Sequence, residues 1–285
     1  MLVKRTAFVL MAAAFATSFV PIANSQSHAA AGATVYLGFD RNNYPEDKNL
    51  KALRQTFSYT GYWLNLPPSA KNNTWSGKRR TLQSAGFGFL VLFNGRLFNE
   101  LKSVSNASRL GKSDAKAAAA SARREGFPAR TIIFLDQEQG GRMLPEQKAY
   151  IYAWVDGVTA GGFLAGIYCS GISAKKEGGE DIVTADDIRQ SAGARKIVYW
   201  VTNDACPPSP GCAFPKRAPS PADSGIRFAD VWQFAQSPKR PDVAASCPGY
   251  NADGNCYPPE LDVAQRLHID VNTATTVDPS KGRSR

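Results

Sequence analysis

The chain has 285 residues, with 34 Lys and Arg against 24 Asp and Glu, a formal net charge of +10, five cysteines and two histidines. An apolar fraction of 43% with 20% charged residues is ordinary globular composition, which excludes a disordered chain, a collagen-like repeat and a small disulfide scaffold. Two histidines argue against a multi-histidine metal centre or a zinc-protease motif, no calcium-loop pattern is visible, and neither metal nor cofactor is expected.

The chain opens on an export signal. Lys4 and Arg5 precede an apolar run from Ala7 to Val20, and Ala23-Asn24-Ser25 supplies small residues for a signal peptidase. Residues 1–25 therefore read as a signal peptide and 26–33 as a linker. The apolar run falls short of the roughly 20 residues that a membrane span needs. Removing the signal takes two positive charges with it, leaving 260 residues at a net charge of +8. The mature protein is expected to be monomeric, without stable membrane insertion, and secreted, periplasmic or associated with the cell wall.

From residue 34 onward, short apolar strands alternate with helical segments. Strands are predicted over 34–40, 58–64 and 87–93, with short helices over 48–56 and 77–84 between them. The third strand is almost continuously apolar, as suits a strand covered on both faces. Ser113 predicts the N-cap of a third helix that contains the alanine run and ends at Gly126. A fourth strand over 131–135 is followed by a helix opened by Pro145 and running to about Ala160. A fifth strand spans 163–169, Thr184 caps a helix over 185–192, and a sixth strand spans 197–202. Pro-, Gly- and Ser-rich loops then separate 228–234 from 260–263, which read as the last two strands, and the tail 273–285 is expected to be disordered. Five β/α units followed by three strands with little helix predict an α/β fold, a TIM-like closed barrel over residues 34–272.

Four of the cysteines lie in the late loops and suit an oxidising compartment. They can pair in three ways. Because each loop is short and rich in Gly or Pro, the local pairs Cys206–Cys212 and Cys247–Cys256 are favoured. Neither pair has the Cys-x-x-Cys spacing of a zinc site, and Cys169 sits in an apolar strand pattern as a buried free thiol.

In such a barrel, catalytic groups gather at the C-terminal ends of the strands. The first strand ends on Asp40, the fourth on Asp136-Gln137-Glu138, and the last predicted strand carries Asp262. Asp136 and Glu138 share a strand face roughly 7 Å apart, with Ile132 and Phe134 on the same face. In a partly apolar cleft, desolvation and mutual repulsion raise one carboxyl so that it donates a proton near neutral pH while the other stays ionised. That is the equipment of glycoside hydrolysis. Sugar rings stack on aromatic faces, and Trp63, Tyr168 and Trp232 are the candidates for the cleft wall.

The segments Gly38-Phe39-Asp40, Ile133-Phe134-Leu135-Asp136-Gln137-Glu138, Ala165-Gly166-Ile167-Tyr168-Cys169-Ser170, Trp200-Val201-Thr202, Val231-Trp232-Gln233-Phe234 and Leu261-Asp262-Val263 follow one another in that order. As an ordered set they resemble the glycoside-hydrolase-like domain family of secreted bacterial proteins, which is similar to the family 25 lysozymes. The resemblance implies a barrel of five β/α units and three further strands. It implies Glu138 as general acid, Asp136 as the carboxylate that orients the substrate's N-acetyl group and stabilises developing positive charge, and Asp40 and Asp262 as the first-strand and last-strand acids. It also implies cleavage between N-acetylmuramic acid and N-acetylglucosamine with retention, assisted by the substrate's acetamido oxygen. The Cys-containing segment 206–221 belongs to the glycoside-hydrolase-like group and is expected to narrow or reshape the sugar site.

The expected function is that of a secreted glycoside hydrolase acting on a peptidoglycan-type cell-wall glycan by carboxylate acid/base chemistry, with the wall polysaccharide as its partner. The alternative is a non-catalytic wall-binding barrel that keeps the fold and the cleft. The basic residues are dispersed, as at Lys78-Arg79-Arg80, Arg123-Arg124, Lys175-Lys176 and Lys239-Arg240, and no recognition motif frames them. Nucleic acid is therefore not an expected partner, and affinity for an anionic wall explains the charge.

Overall fold

The structure, a computed structural model, describes residues 34–175, 181–215 and 217–283. The expected signal peptide and linker lie outside these residues. In chain order the elements are β1 (Tyr36–Asp40), α1 (Leu50–Thr56), β2 (Tyr59–Trp63), α2 (Arg79–Ser84), β3 (Gly88–Asn94), α3 (Phe98–Leu101), α4 (Val104–Arg124), β4 (Ile132–Asp136) and α5 (Pro145–Ala160). There follow β5 (Leu164–Ser170), a short ribbon of β6 (Ser173–Lys175) and β7 (Asp181–Val183), α6 (Thr184–Ser191), β8 (Ile197–Thr202), β9 (Val231–Ala235), α7 (Pro241–Ala244) and β10 (Asp270–Ala274). Eight strands close a barrel in the order β1-β10-β9-β8-β5-β4-β3-β2. Seven run parallel, and β10 closes the ring antiparallel to both β9 and β1.

The predicted barrel is therefore present, with differences that have local causes. The third helix begins at Val104, ten residues before the predicted start, and its N-cap is Ser103, whose hydroxyl accepts from Asn106 N. Ser113 is an exposed residue within the helix. Gly111 interrupts the helical pattern in the sequence, but in the fold its missing side chain lets the backbone of α5 approach: a Cβ there would lie 2.3 Å from Tyr150 O. Thr184 is the first residue of α6 rather than its cap, because its hydroxyl is engaged by Gly141, accepting from the N–H and donating to the C=O.

The last strand is also relocated. Residues 260–263 form no strand; Asp262 instead caps a single 3-10 turn, accepting from Ala264 N at 2.9 Å. The strand that closes the barrel, Asp-Val-Asn-Thr-Ala, is too polar to stand out by hydropathy, yet Asn272 and Thr273 are fully buried. Their polar atoms are satisfied there: Asn272 bonds Asp40 and Trp200, and the Thr273 hydroxyl donates to Pro219 O.

The tail expected to be disordered packs on the barrel as far as residue 283, the last described. After β10 it turns back beneath β3 and β4. Ser280 N donates to Phe89 O and Ile132 N donates to Ser280 O. Phe89 N and Val91 N donate to Asp278 Oδ1 and Ser280 Oγ. Four bonds worth about 1 kcal/mol each predict that a chain ending at Thr275 loses roughly 4 kcal/mol and about 10 °C of melting temperature. Thermal unfolding of the truncated protein checks this, and an unchanged transition would contradict the docking of the tail.

The disulfides join Cys206 to Cys247 and Cys212 to Cys256, in place of the local pairs expected. Pairing follows the stacking of two loops on each other, not the length of either. A Cβ on Gly211 would lie 2.3 Å from Pro248 O, and one on Gly249 would lie 2.5 Å from the Cys212 carbonyl carbon. Two glycines thus let the loops meet backbone to backbone, with their cysteines facing across. Cys169 is a buried free thiol, as expected.

Candidate active site

Strand alternation sends one row of side chains into the barrel, and at the C-terminal rim that row is polar. Asp40 ends β1 with its side chain pointing inward, and Gly61 on β2 makes room for it: a Cβ there would lie 2.7 Å from the Asp40 Cβ. Gln233 Nε2 and Asn272 Nδ2 donate to Asp40 Oδ1 at 3.0 and 2.7 Å. Both amides are held from behind. Trp200 Nε1 donates to Asn272 Oδ1 at 2.9 Å, and the Tyr168 hydroxyl donates to Gln233 Oε1 at 2.7 Å. Burial raises Asp40 to about 6, against the lowering effect of the two amides.

Asp136 ends β4 and is buried. Neither of its carboxyl oxygens receives an N–H or a hydroxyl among the described residues. Its polar neighbour is the carboxyl of Glu138, within hydrogen-bonding reach. Burial raises Asp136 well above the carboxylate range, and the charges of Glu138 and Asp40 add to this. Glu138 is also raised by the desolvation of its inner side, offset by its contact with Asp136, while its outer side is open to solvent. Of the two carboxyls, Asp136 is the one held further above the ordinary range.

A fourth carboxyl completes the group. Asp270 is the register partner of Asp40 across β1 and β10. It accepts from Ser237 N at 2.6 Å, and burial together with the Asp40 charge raises it well above the ordinary range. Asp40, Asp136, Glu138 and Asp270 line one cavity of about 70 Å³, walled by Trp63, Tyr168 and Trp200. Pockets that enclose small ligands run to roughly 300–1,000 Å³, so this cavity is too small for a whole sugar ring.

Of the predicted site residues, Asp40, Asp136, Glu138, Trp63 and Tyr168 meet here. Trp63 and Tyr168 present only edges, being 3% and 7% exposed. Asp262 does not line the cavity; it is exposed on its 3-10 turn, and Asp270 takes the last-strand position. Trp232 is also corrected. It alternates with the inward Gln233, so it lies outside the barrel, fully buried, with Nε1 donating to Asn203 O. Trp200, Gln233, Gln236 and Asp270 were missed. The signal for Gln233 was available: a lone amide inside the apolar strand Val-Trp-Gln-Phe needs a buried partner.

The model of the "Rv2525c-like, glycoside hydrolase-like domain" family matches residues 57–204, just over half the chain, including Asp136 and Glu138. Among solved structures, an uncharacterized B. stearothermophilus protein shares 19% identity over 84% of this chain and 95% of its own, with a TM-score of 0.52. The catalytic domain of endolysin ply40, from bacteriophage P40 of Listeria monocytogenes, shares 14% identity over 88% and 98%, with a TM-score of 0.50. These two likenesses show the barrel fold. The Mycobacterium tuberculosis Tat-secreted protein Rv2525c matches at 11% identity over 88% and 98%, with a TM-score of 0.49. No curated protein sequence matches the chain.

Proposed function

The chain belongs to the Rv2525c-like, glycoside hydrolase-like domain family, and from that premise we propose that it hydrolyses an N-acetylated, peptidoglycan-type cell-wall glycan outside the cytoplasm. The observation that carries this reading is the pair of buried Asp136 oxygens without a donor. A buried acceptor of this kind costs stability unless a partner arrives, and the small cavity beside it suits an acetamido group. Two disulfides support an oxidising compartment.

The chemistry follows from the placement of the proton. An acetamido N–H donating to Asp136 stabilises its ionised form. The proton then passes to Glu138, whose open side faces the mouth of the cavity. Glu138 delivers it to the glycosidic oxygen as the bond to the anomeric carbon breaks and the acetamido oxygen bonds to that carbon; water, giving its proton back to Glu138, then displaces the acetamido oxygen and completes hydrolysis with retention. The Asp136 carboxylate, freed of its proton, stabilises the positive charge that develops on the ring and orients the acetamido group. The sugar ring stays at the mouth, against the edges of Trp63 and Tyr168.

The narrowness of the cavity favours one rival, a barrel that binds wall glycan without cleaving it. Both readings are tested with peptidoglycan and its chemically de-N-acetylated form. The hydrolase reading expects cleavage of the first and a drop of at least about tenfold on the second, the loss of one charge-assisted hydrogen bond. Equal cleavage of both would remove Asp136 from the acetamido role. Retention of the protein on wall material with no cleavage of either would favour the binding barrel.

A further inference from the structure

A second pocket, of about 510 Å³, adjoins the end of β1. Asp40 and Asn42 line the carboxylate cavity, while Arg41 and Asn43 line this one, so consecutive residues of one segment serve the two spaces alternately. Three cations, Arg41, Lys48 and Arg266, face the pocket with Asn43, Asn49 and Gln265. Glu46 is its one acid, and it is an exposed partner of Lys48 at 2.7 Å. Two residues of its wall, Glu46 and Arg266, are non-glycine residues in the left-handed region, with φ of 67° and 51°; such positions cluster at ligand clamps.

Arg41 is the notable member. Its Nε is buried without a hydrogen-bond partner among the described residues. The nearby negative charges are Asp270, on the side of the carboxylate cavity, and Glu46. A partly desolvated guanidinium with a buried, unpaired donor is suited to an incoming anion, which a guanidinium binds in bidentate fashion.

We propose that this pocket binds an anionic substituent, a carboxylate or a phosphate, of the glycan whose acetamido group enters the neighbouring cavity, with Arg41 as its principal contact. The inference rests on the proposed glycan reading. It adds a charge requirement to the substrate, and it gives part of the basic balance of the chain a defined location.

The test measures binding by calorimetry in the Glu138→Gln protein, so that affinity is read whether or not the wild type cleaves anything. The probes are N-acetylglucosamine, N-acetylmuramic acid, which adds a carboxylate, and N-acetylglucosamine 6-phosphate. At least one charged sugar is expected to bind about tenfold more tightly than the neutral one, the scale of a charge-assisted contact, and the two arms say which anion the pocket takes. Arg41→Gln should abolish that preference while leaving the neutral sugar's affinity unchanged. If Arg41 serves only to balance Asp270, it would instead weaken neutral and charged sugars alike. A paired Lys48→Gln and Arg266→Gln change on the exposed wall should reduce both the preference and its salt dependence, and it decides the matter if Arg41→Gln does not fold. Equal binding of all three sugars, no binding of either charged sugar at millimolar concentration, or a preference intact in Arg41→Gln would overturn the proposal. A clear preference in a protein whose wild type cleaves no glycan would leave this inference standing and refute hydrolysis alone.

Discussion

Glu138→Gln is expected to lower glycan cleavage by about 10²- to 10⁴-fold, the range contributed by a positioned general acid. The amide keeps the shape of the side chain but cannot give up a proton. The fold should be unaffected, because Glu138 is exposed at the rim and its polar contact is with Asp136. Rates of reducing-end release, measured beside thermal unfolding of the same variant, separate lost chemistry from lost structure. A variant that cleaves at near wild-type rate would assign the acid to another of the four carboxyls.

Asp136→Asn is expected to abolish cleavage and to raise stability at neutral pH, two effects of one residue moving in opposite directions. Asp136 is buried without a donor and its carboxyl is raised well above the ordinary range by desolvation. Between the unfolded value of 3.8 and the raised folded value, the folded protein holds a proton that the unfolded chain has released. Stability from this group is therefore fully present below about pH 4 and is lost as pH rises through the folded value. The asparagine variant escapes that loss. It should match the wild type near pH 4 and be the more stable of the two near pH 7. Asp40, raised to about 6, adds a similar loss over a lower range, but does so in both proteins and largely cancels. Melting curves across pH read the effect, and a variant less stable than wild type at neutral pH would contradict the description of Asp136 as a buried carboxyl that receives no N–H or hydroxyl.

How much of this was legible depended on what kind of interaction fixed each feature. The parallel part of the barrel was legible because its strands are short apolar runs separated by helical patterns: Pro145–Ala160 and Ile197–Thr202 fall where the sequence puts them. Asp40, Asp136 and Glu138 were legible because each follows an apolar strand at the rim where barrel chemistry collects. The closing strand was not, because Asp270–Ala274 buries polar side chains whose partners come from Asp40, Trp200 and Pro219, all distant in sequence. Choosing Leu261-Asp262-Val263 instead displaced the fourth carboxyl by eight residues. Cysteine pairing failed for a similar reason, since the contact between the loops at Gly211 and Gly249 is tertiary. Trp232 was misplaced by one step of strand alternation, which only its neighbour Gln233 reveals.

The central claim is that the carboxylate cavity at the β1, β4 and β10 ends cleaves an N-acetylated wall glycan. It is tested most directly by incubating purified peptidoglycan with the wild-type protein, with Glu138→Gln and with Asp262→Asn, and measuring new reducing ends over a broad pH range. Release is expected from the wild type and from the Asp262 variant, and almost none from the Glu138 variant. Absence of release by the wild type at every pH, or loss of it with Asp262→Asn while Glu138→Gln stays active, would rule out glycan cleavage by these carboxyls.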